Sequence, residues 1–430
     1  MDQQPLVLSD DFQQALDLLE KTRRNLFVTG RAGTGKSTLL QLFRNTTKKK
    51  AVVLAPTGVA ALNVRGQTIH SFFGFPPRLI DQNEIKRRRF RKLYQKLEVL
   101  VIDEISMVRA DILDGIDLFL RINRENDLPF GGVQMLFFGD LFQLPPVVAS
   151  QMERQYFQSY YPSPYFFSAQ VFERGFEFEM VELRHVYRQE QKHFLRLLDA
   201  IRLNRADDSD IQDLNRRHMP DFEARDQFIT LSARNATVDS INQRELAKLN
   251  DPPRYFTAFV GGTFNPKLYP TDLRLELKKN AQVMFLKNDP ERRYVNGTIG
   301  KITDLDPEWI RVQVTRPDGS HEEIEVETAE WEILRYKMDP NEPDKIEAEV
   351  VGTFEQYPLR LAWAITIHKS QGKTFDRVII DLGRGAFEHG QTYVALSRCR
   401  TLDGIILQAR LRPQDILVDD RVVEFYEQHL

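Results

Sequence analysis

Residues Gly30 to Ser37 have types and a spacing that suit the binding of phosphate groups. Their sequence, GRAGTGKS, fits the pattern G-x-x-x-x-G-K-[ST], with an apolar run before it and a helical pattern after it. Glycines let backbone N–H groups curl around phosphate oxygens, and the positive end of a following helix attracts the anion. We expect Lys36 to reach the β/γ-phosphates and Ser37 to ligate Mg²⁺. The alternative is a glycine-rich turn without a ligand.

A second stretch, HKSQGKTFD at 368–376, repeats the Gly-Lys-Thr ending of such a loop. The loop geometry requires a glycine five positions before Gly372, and that position is Ile367. The preceding run, LRLAWAITI at 359–367, predicts one buried strand that presents the polar residues after it in a loop. We therefore expect one nucleotide site, and a different ligand for the second loop.

Carboxylates follow the apolar run LEVLVIDEISMV, where Asp103 and Glu104 stand together. In a chain with a phosphate loop, Asp103 is suited to hold Mg²⁺ and Glu104 to orient the water that attacks the γ-phosphate. A further run, VQMLFFGDLFQLPPV, presents Gln143, a neutral donor suited to sensing the γ-phosphate. These residues predict ATP hydrolysis, whereas an isolated exposed Asp-Glu pair would carry no meaning.

Two arginines are candidates for stabilising the charge of the transferring phosphoryl group. Arg188 lies in HVYRQ and Arg398 in TYVALSRCR, each beside aromatic and apolar residues. An arginine supplied from a second body accelerates such reactions greatly. From position alone, the interpretation as ordinary surface arginines is the favoured one.

Length and composition indicate an enzyme-sized protein with two to four compact units. The chain has 430 residues, of which 42% are hydrophobic and 28% charged. It has no run near the ~18 apolar residues that cross a bilayer, and its first residues lack the pattern of a signal peptide. We expect a cytoplasmic or nucleoid location, without a membrane partner, and a bacterial source. The single cysteine, Cys399, excludes an internal disulfide and a cysteine-based zinc cluster.

Charge is unevenly distributed along a chain whose net charge is −3. Residues 84–96 carry seven basic residues against Glu84, whereas 320–355 carry twelve acidic residues against three basic ones. A local basic surface is what an anionic partner requires. Both segments could equally be solvated faces.

The predicted fold class is α/β. Apolar strands at 25–29, 51–55, 97–102 and 134–138 alternate with helical patterns, which predicts a parallel sheet covered on both faces. Later segments have the pattern of short strands, with a hairpin turn at Pro317-Asp318-Gly319. We expect an ATP-binding lobe at residues 1–72 and 96–180, with a small insertion at 73–95. We expect a second lobe at 181–250 and 357–430, with a β-barrel inserted at 251–356.

An ordered series of motifs resembles that of the superfamily-1 type B helicases, specifically the petite-integration-frequency (Pif) DNA helicases. The matching stretches are GRAGTGKS, APTGVAAL, GQTIHSFFGF, VLVIDEISMV, FGDLFQLPPV, VYRQ, ITIHKSQGKTFD and YVALSRCR. The family's signature helix resembles SMVRADILDGIDLFLRINR at 106–124. The resemblance covers almost the whole chain and implies two RecA-like lobes.

The resemblance implies an ATP site with magnesium. Adenine would be read by Gln13, with the adjacent Gln14 as the alternative, and Phe12 stands where the family has an acidic residue. Tyr187 would stack near adenine, and Gly372 would turn back toward the nucleotide. The phosphates would be bound by Gly33, Thr34, Gly35, Lys36, Ser37 and Thr38, and the metal by Ser37 and Asp103. Gln143, Arg188 and Arg398 would read or stabilise the γ-phosphate, and Glu104 would have the catalytic role of orienting the attacking water.

The resemblance also implies a groove for single-stranded DNA. The second lobe would contribute Thr366, His368, Lys369 and Ser370. Weaker candidates are Asn235 from the same lobe and Asn296-Gly297 from the inserted barrel. The first lobe would contribute backbone amides, hydroxyls and a stacking ring, from Pro56, Thr57, Gly58, His70, Ser71 and Phe72. For His70 and Phe72, core packing is the alternative.

The implied activity is that of a monomeric motor that moves 5′-to-3′ as ATP closes and releases the two lobes. Its substrates would be single-stranded DNA and forked or tailed duplex, with G-quadruplexes and RNA–DNA hybrids as further candidates, in DNA repair, recombination and telomere maintenance. The insertion 73–95 would act as a wedge where the duplex splits. Two rivals remain open: a phosphate-loop ATPase or kinase that does not act on nucleic acid, and an ATP-gated strand binder without movement.

Overall fold

The computed structural model describes residues 9–189, 191–223, 227–316, 319–342 and 344–429. The chain forms two compact units. The first comprises Met1–Tyr187, Ile333–Val351 and Arg421–Leu430, and the second comprises Arg188–Glu332 and Gly352–Asp420. Within the described residues, no helix combines the length and apolar character needed to span a membrane.

A parallel sheet forms the centre of the first unit. Its strands are β1 (Leu26–Gly30), β2 (Ala51–Ala55), β3 (Gln67–Thr68), β4 (Val99–Ile102), β5 (Gln134–Phe138) and β6 (Glu179–Leu183), in the order β3-β2-β4-β5-β1-β6. Helices in this part of the chain are α1 (Asp10–Lys21), α2 (Lys36–Thr46), α3 (Gly58–Asn63), α4 (Ile69–Phe73), α5 (Lys92–Lys96), α6 (Ala110–Arg124) and α7 (Gln151–Tyr160). Strands β1, β4 and β5 are buried along their whole length, as helices on both faces of a parallel sheet require.

The strands predicted at 25–29, 51–55, 97–102 and 134–138 are all confirmed. The start of the second lobe at residue 181 is wrong, because Glu179–Leu183 pairs with β1 in the first sheet, from Leu26↔Glu179 to Gly30↔Leu183. As an edge strand with one exposed and three partly exposed residues, β6 lacks the apolar run that marks the inner strands. The first unit instead extends to Tyr187.

The second unit combines parallel and antiparallel sheets. Strands in this part of the chain are β7 (Ile229–Ser232), β8 (Arg254–Thr257), β9 (Phe259–Gly262), β10 (Arg274–Leu277), β11 (Gln282–Phe285), β12 (Ile299–Leu305), β13 (Ile310–Thr315), β14 (His321–Val326), β15 (Ala329–Met338), β16 (Ile346–Gln356), β17 (Leu359–Leu361), β18 (Ala364–Thr366), β19 (Val378–Asp381) and β20 (Ile405–Leu407). The helices are α8 (Lys192–Arg202), α9 (Asp208–Asn215), α10 (Asn235–Lys248) and α11 (Gln391–Ser397). The last helix, α12 (Asp420–His429), belongs to the first unit from Arg421 onward. The order β18-β7-β19-β20 is parallel. The sheets β14-β13-β12-β11-β17 and β10-β8 are antiparallel and share a separate apolar core, and in the sheet β15-β16-β9 strand β9 pairs antiparallel with β16.

The antiparallel hairpin predicted around residue 317 is present, because β13 pairs with β14 from Ile310↔Val326 to Thr315↔His321. Pro317 and Asp318, which were expected in its turn, lie outside the described residues. The boundary predicted for the inserted domain needs correction, because Ile333–Val351 belongs to the first unit. There, the Tyr336 hydroxyl accepts a hydrogen bond from the backbone N–H of Val53 at 3.2 Å. The alternation of polar and apolar residues along β15 and β16 identifies them as strands, but it does not show on which unit they pack.

The single strand predicted at 359–367 is broken in two. Its first part, β17, pairs with β11 in the antiparallel sheet, and its second part, β18, pairs with β7 in the parallel sheet. The side chain of Gln282 bridges the break, because its Nε2 donates to the carbonyls of Phe228 and Ala362, both at 2.7 Å, and its Oε1 accepts from the N–H of Gln227 at 2.7 Å. The apolar run alone does not reveal this change of sheet.

Candidate functional site

The predicted strand–loop–helix around Gly30–Ser37 is present. Gly30 ends β1 with φ +147°, and a Cβ there would lie 2.5 Å from the carbonyl oxygen of Leu183. Gly35, with φ +87°, precedes α2, and its carbonyl accepts from the N–H of Leu39 at 2.9 Å. Only glycine meets both demands without strain. The loop therefore directs the start of α2 toward the end of β1, as a phosphate cradle requires.

Lys36 lies across this loop. Its Nζ donates to the carbonyls of Gly30 at 2.6 Å and Arg31 at 3.0 Å. Thr34 is buried and donates to the Arg31 carbonyl at 3.0 Å, whereas Ser37 and Thr38 are exposed on the first turn of α2. The ammonium is thus held at the loop by neutral carbonyls, and the two exposed hydroxyls are accessible to a bound ion or phosphate.

Asp103 and Glu104 follow β4, at the same edge of the sheet as the loop. Desolvation by the surrounding protein, followed by the neighbouring carboxylate of Glu104, raises the pKa of Asp103 to about 8, although Lys36 acts in the opposite direction. Two carboxyl groups this close favour a bound cation, which removes the repulsion between them. Within the described ranges, three or more His, Cys, Asp or Glu residues do not form a metal-binding group. A Mg²⁺ ion that keeps several waters needs no such group, and the carboxylate of Asp103 and the exposed hydroxyl of Ser37 are oxygen donors of the kind that it takes.

Gln143 follows β5 and is nearly buried. Its Nε2 donates to Oδ2 of Asp140 at 3.2 Å, and its backbone N–H donates to the Asp140 carbonyl at 3.0 Å. Asp140 is itself 1% exposed. The structure thus places Gln143 at the predicted sheet edge, with its amide oriented by an acidic residue that the sequence did not single out.

Aromatic rings lie beside the loop on its outer side. The N–H of Tyr187 donates to the Gly33 carbonyl at 2.9 Å, and its ring remains 45% exposed. The rings of Phe12 and Tyr187 approach the position of a Cβ on Gly35 to 3.5 and 3.6 Å. Phe12, which the motif comparison marked only as a departure from the family, therefore packs on the phosphate loop.

Both candidate adenine-reading glutamines are exposed on α1. The Nε2 of Gln13 donates to Oδ1 of Asp17 at 3.3 Å. The geometry does not choose between Gln13 and Gln14, so the assignment to Gln13 stays a prediction.

Arg188 and Arg398 lie close together in the second unit. Burial, followed by the positive charge of Arg398, lowers the pKa of Arg188 to about 9. Arg188 donates to the Ser397 carbonyl at 3.2 Å, and Gln189 donates to the same carbonyl at 3.0 Å. Arg398 is 1% exposed and donates to the Val394 carbonyl at 2.9 Å and to the Ser397 hydroxyl at 2.9 Å. A nearby anion would offset the repulsion between the two guanidinium groups.

The loop after β2 and the start of α4 carry the first unit's predicted strand-binding residues. Pro56 and Thr57 are partly exposed, Gly58 is buried, and the Thr57 hydroxyl accepts from the N–H of Ala60 at 3.2 Å as the cap of α3. Ser71 is exposed, and its hydroxyl accepts from Gln67 at 2.9 Å. Burial, followed by the charge of Arg109, lowers the pKa of the partly exposed His70. These backbone and hydroxyl groups form a polar edge.

Phe72 does not face a ligand. Its side chain is 5% exposed and packs edge-on against Phe73, Tyr94 and Tyr336, with ring centroids 4.9, 5.4 and 6.2 Å apart. The expectation of an exposed stacking ring is therefore wrong for this structure, and the alternative of core packing holds. One of its contacts, Tyr336, comes from a distant part of the sequence, so the local motif could not reveal it.

The HKSQG loop after β18 presents fewer side chains than expected. Thr366 is 5% exposed and accepts from the N–H of Lys369 at 3.3 Å, and Ser370 is fully buried and donates to the Ile367 carbonyl at 2.7 Å. These hydroxyls shape the loop and do not face a ligand, which corrects the prediction for both. His368 is partly exposed, with its Nε2 3.0 Å from Oε2 of Glu388, and Lys369 is exposed. Burial lowers the pKa of Lys369, and the charge of Arg360 adds to this effect.

Other residues around this loop agree with the sequence analysis in part. Asn235 is exposed at the start of α10, directly after β7, which is the neighbour of β18. Gly372 has φ +74°. The Nε2 of Gln371 is buried without a hydrogen-bond partner. Among the described residues of this region, the loop thus holds a buried amide donor that a ligand could satisfy.

The second Gly-Lys-Thr is not a phosphate loop. Strand β19, rather than a helix, comes after Lys373-Thr374. Lys373 donates to Oδ1 of Asn296 at 2.7 Å, and burial, followed by the charge of Arg360, lowers its pKa to about 8. The expectation of a single phosphate loop therefore agrees with the geometry.

Comparison with known proteins gives a consistent result. A family model for PIF1-like helicases matches residues 6–212. The ATP-dependent DNA helicase Pif1 of Bdellovibrio bacteriovorus is 34% identical over 432 residues, which cover 98% of this chain and 92% of that protein. Human ATP-dependent DNA helicase PIF1 is 34% identical over 94% of this chain, which spans 61% of the human protein.

Solved structures are similar over nearly the full length. Bacteroides sp Pif1 in complex with ADP-AlF4 superposes with a TM-score of 0.91 at 38% identity, covering 99% of this chain and 97% of that chain. Bacteroides Pif1 bound to single-stranded DNA gives a TM-score of 0.69 at 39% identity, with the same coverage.

Proposed function

The chain belongs to the PIF1-like helicase family, and on that premise we propose that it is an ATP-dependent DNA helicase that moves 5′-to-3′ on single-stranded DNA and separates duplex. One observation carries the proposal: the glycine loop, Lys36 and the Asp103-Glu104 pair all lie at the carboxyl edge of one sheet, within electrostatic reach of each other. That arrangement suits phosphoryl transfer to water.

Each residue at this edge has a separate task in hydrolysis. The loop N–H groups and Lys36 bind the β- and γ-phosphates, and Lys36 exchanges its two carbonyl contacts for phosphate oxygens. Ser37 and Asp103 would hold Mg²⁺, which neutralises charge on the phosphate oxygens. Glu104 orients the attacking water and accepts its proton. Tyr187 and Gln13 are assigned to adenine, and Gln143 to the γ-phosphate.

Arg188 and Arg398 are assigned to the charge that develops on the transferring phosphoryl group. The depressed pKa of Arg188 supports this, because a guanidinium that is costly to keep charged gains most from a nearby anion. Both rest on the turn at Ser397, so they are already oriented before a ligand binds.

The DNA strand is assigned to the polar edges after β2 and β18. In the first unit these are Pro56–Gly58, His70 and Ser71, and in the second they are Asn235, His368 and Lys369. Amides, hydroxyls and cations of this kind bind phosphates without reading sequence. Bacteroides Pif1 bound to single-stranded DNA, and a second structure that concerns DNA unwinding at forked duplex by two coordinating Pif1 helicases, support DNA of these forms as the substrate.

Each unit contains a parallel sheet, and we assign both to RecA-like lobes, with the antiparallel sheets as the inserted barrel and residues 73–95 as the wedge. Phe90 is 83% exposed, with the guanidinium of Arg89 5.4 Å from its ring centroid. Arg87 and Arg91 pair with Glu125 at 2.6 and 3.0 Å, which fixes the base of this segment. An exposed ring among arginines suits the point where base pairs part.

The experiment that tests the function is ATP hydrolysis with and without single-stranded DNA at two salt concentrations, together with strand separation on 5′-tailed and 3′-tailed duplex. We expect strong, salt-sensitive stimulation and separation of the 5′-tailed substrate only. ATP-dependent binding without separation would identify a gated strand binder. Hydrolysis indifferent to DNA would identify an ATPase of another kind. Gel filtration checks the expected monomer, and G-quadruplex or RNA–DNA hybrid substrates define its range.

A further inference from the structure

A basic cavity of about 620 Å³ opens at the edge of the first sheet opposite the phosphate loop. Residues that precede β1, β2, β4 and β5 line it, whereas the loop, Asp103 and Gln143 come after such strands. Five cations line the cavity, against two carboxylates, Glu98 and Glu177. The cations are Arg23, Lys49, Lys50, Lys96 and Arg124.

Two of these cations sit on neutral oxygens. Lys49 donates to the carbonyls of Leu19 and Thr22, both at 2.6 Å, and to the side-chain oxygen of Gln134 at 3.0 Å. Arg124 donates to the carbonyls of Leu97 at 2.8 Å and Gly131 at 2.7 Å, and to that of Tyr94. Across the ranges that the structure covers, neither forms an ion pair. These neutral oxygens satisfy N–H donors of Lys49 and Arg124 without neutralising their charge, so both cations still contribute to the positive field of the cavity.

The rim is open to a ligand. Arg23 is exposed and Lys50 partly exposed, and within the described part of the chain neither side chain has a hydrogen bond or ion pair. Lys96 binds Asp344 at 2.7 Å, and the pKa of this exposed carboxyl is lowered by Lys96 first and then by Lys50 and Lys92. A carboxylate of the chain itself thus already sits in the positive field that the rim creates.

We propose that this cavity binds phosphate groups of the DNA backbone, as a second contact separate from the strand-binding edges. The inference rests on the proposed function, because it assigns the site to the DNA that the helicase unwinds. Two observations favour backbone phosphates over a free polyphosphate or nucleotide. Lys92 is exposed one turn before Lys96 on α5 and acts on the Asp344 carboxyl together with Lys96 and Lys50, and the exposed Lys86 and Arg89 precede it in the chain, which suits a chain of phosphates. Among the described lining residues, the aromatic Phe176 is buried, so a base finds no ring to stack on.

The test is the double charge reversal Arg23→Glu with Lys50→Glu in the full chain. The matched control is Arg154→Glu, an exposed arginine on α7 of the same unit. Fluorescence anisotropy measures affinity for a forked duplex and for its single-stranded tail alone over a salt series. We expect about tenfold weaker fork binding, with a salt slope smaller by about two. Tail affinity and DNA-stimulated hydrolysis should be unchanged, and the control should match the wild type.

Fork affinity that survives the double reversal would overturn the proposal, and so would an equal loss with Arg154→Glu or on the tail alone. Titration with tripolyphosphate separates the two sources of phosphate. One outcome would show that the cavity takes a free polyphosphate and that the assignment to DNA is wrong. In that outcome the wild type binds tripolyphosphate and the double variant does not, while the double variant keeps its affinity for the fork. Failure of the helicase function itself would show differently, as wild-type hydrolysis that DNA does not stimulate.

Discussion

The amine of Lys373 lies 2.7 Å from the side-chain oxygen of Asn296, and this bond links the loop after β18 to the turn before β12. The same Gly-Lys pair at Gly35 places Lys36 over a phosphate cradle instead. The difference arises from the element that comes after each lysine, which is helix α2 in one case and strand β19 in the other. The same Gly-Lys pair therefore has a different structural role in each of the two loops.

Lys36→Ala should abolish ATP hydrolysis, with a loss of about two orders of magnitude or more, because the β/γ-phosphates lose their cation. Lys373→Ala should leave ATP affinity unchanged. Binding of a fluorescent ATP analogue and steady-state hydrolysis measure both effects. Equal losses of affinity in the two variants would show that the second loop also holds a nucleotide.

Lys373 should also give the protein a pH-dependent stability. Its pKa is about 8 in the folded chain, below the ordinary 10.5, so the unfolded chain binds more protons between these two values. Stability from this group therefore rises as pH increases from about 8 to 10.5, and it is lost as pH falls through 8. The thermal midpoint of the wild type relative to Lys373→Met should increase across that window. A constant difference would mean that Lys373 is not desolvated.

Asp103→Asn and Glu104→Gln should separate folding from catalysis. Glu104→Gln should keep ATP binding and lower hydrolysis by about 10²- to 10⁴-fold, because the water loses its base. Asp103→Asn should also stop hydrolysis, yet the unfolding midpoint of the ligand-free protein should not fall, because its desolvated carboxyl is already costly to ionise beside Glu104. Calorimetry without nucleotide, and hydrolysis with Mg²⁺ or EDTA, provide the measurements. A marked loss of ligand-free stability in Asp103→Asn would contradict this account.

Arg188→Ala should lower kcat by about 10³-fold or more, with ATP affinity largely retained, because its charge acts on the transferring group. Its thermal midpoint should be unchanged or raised, since repulsion from Arg398 is removed. Arg188→Lys should not restore kcat, because an ammonium lacks the planar donor fork. If the hydrolysis rate of Arg188→Ala stayed within about tenfold of the wild-type rate, Arg188 would have only a structural role.

Phe90→Ala should slow strand separation by about fivefold or more, the loss expected for one stacking contact of ~1 kcal/mol, while DNA-stimulated hydrolysis persists. Met152→Ala, at a residue that is 74% exposed in the same unit, is the control. This substitution is a cleaner test than deleting residues 78–92. The deletion would remove Ile80, which is 4% exposed and whose N–H donates to Asp111 at 3.0 Å, and would damage the core. An unchanged rate of strand separation in Phe90→Ala would show that this ring does not act as a wedge.

Features that depend on neighbouring residues in sequence could be predicted. The phosphate loop is indicated by glycine spacing between a strand and a helix, and the carboxylate pair by its place after the buried strand β4. The inner strands β1, β2, β4 and β5 are apolar because both faces of the sheet are covered. Each of these features is encoded in one short stretch of the chain, so no partner from elsewhere is needed to recognise it.

Features that depend on distant residues could not be predicted. Phe72 is buried partly by Tyr336, and Glu179–Leu183 gains its strand partner from β1. Two local features were missed as well, because Ser370 and Thr366 make their hydrogen bonds within their own loop and a sequence does not show which way a hydroxyl turns. The packing of Phe12 on the phosphate loop was missed because a single apolar residue in a helix carries no functional signal.

The break between β17 and β18 connects the antiparallel sheet of the second unit directly to its parallel sheet. Only two residues separate the strand of the antiparallel sheet from the strand that leads into the His368 loop, and Gln282 holds both sides of that break. Tension on a DNA strand at the proposed His368 contact would pass along this short, hydrogen-bonded stretch of backbone into the antiparallel sheet. The antiparallel sheet and the His368 loop would therefore move together under that tension.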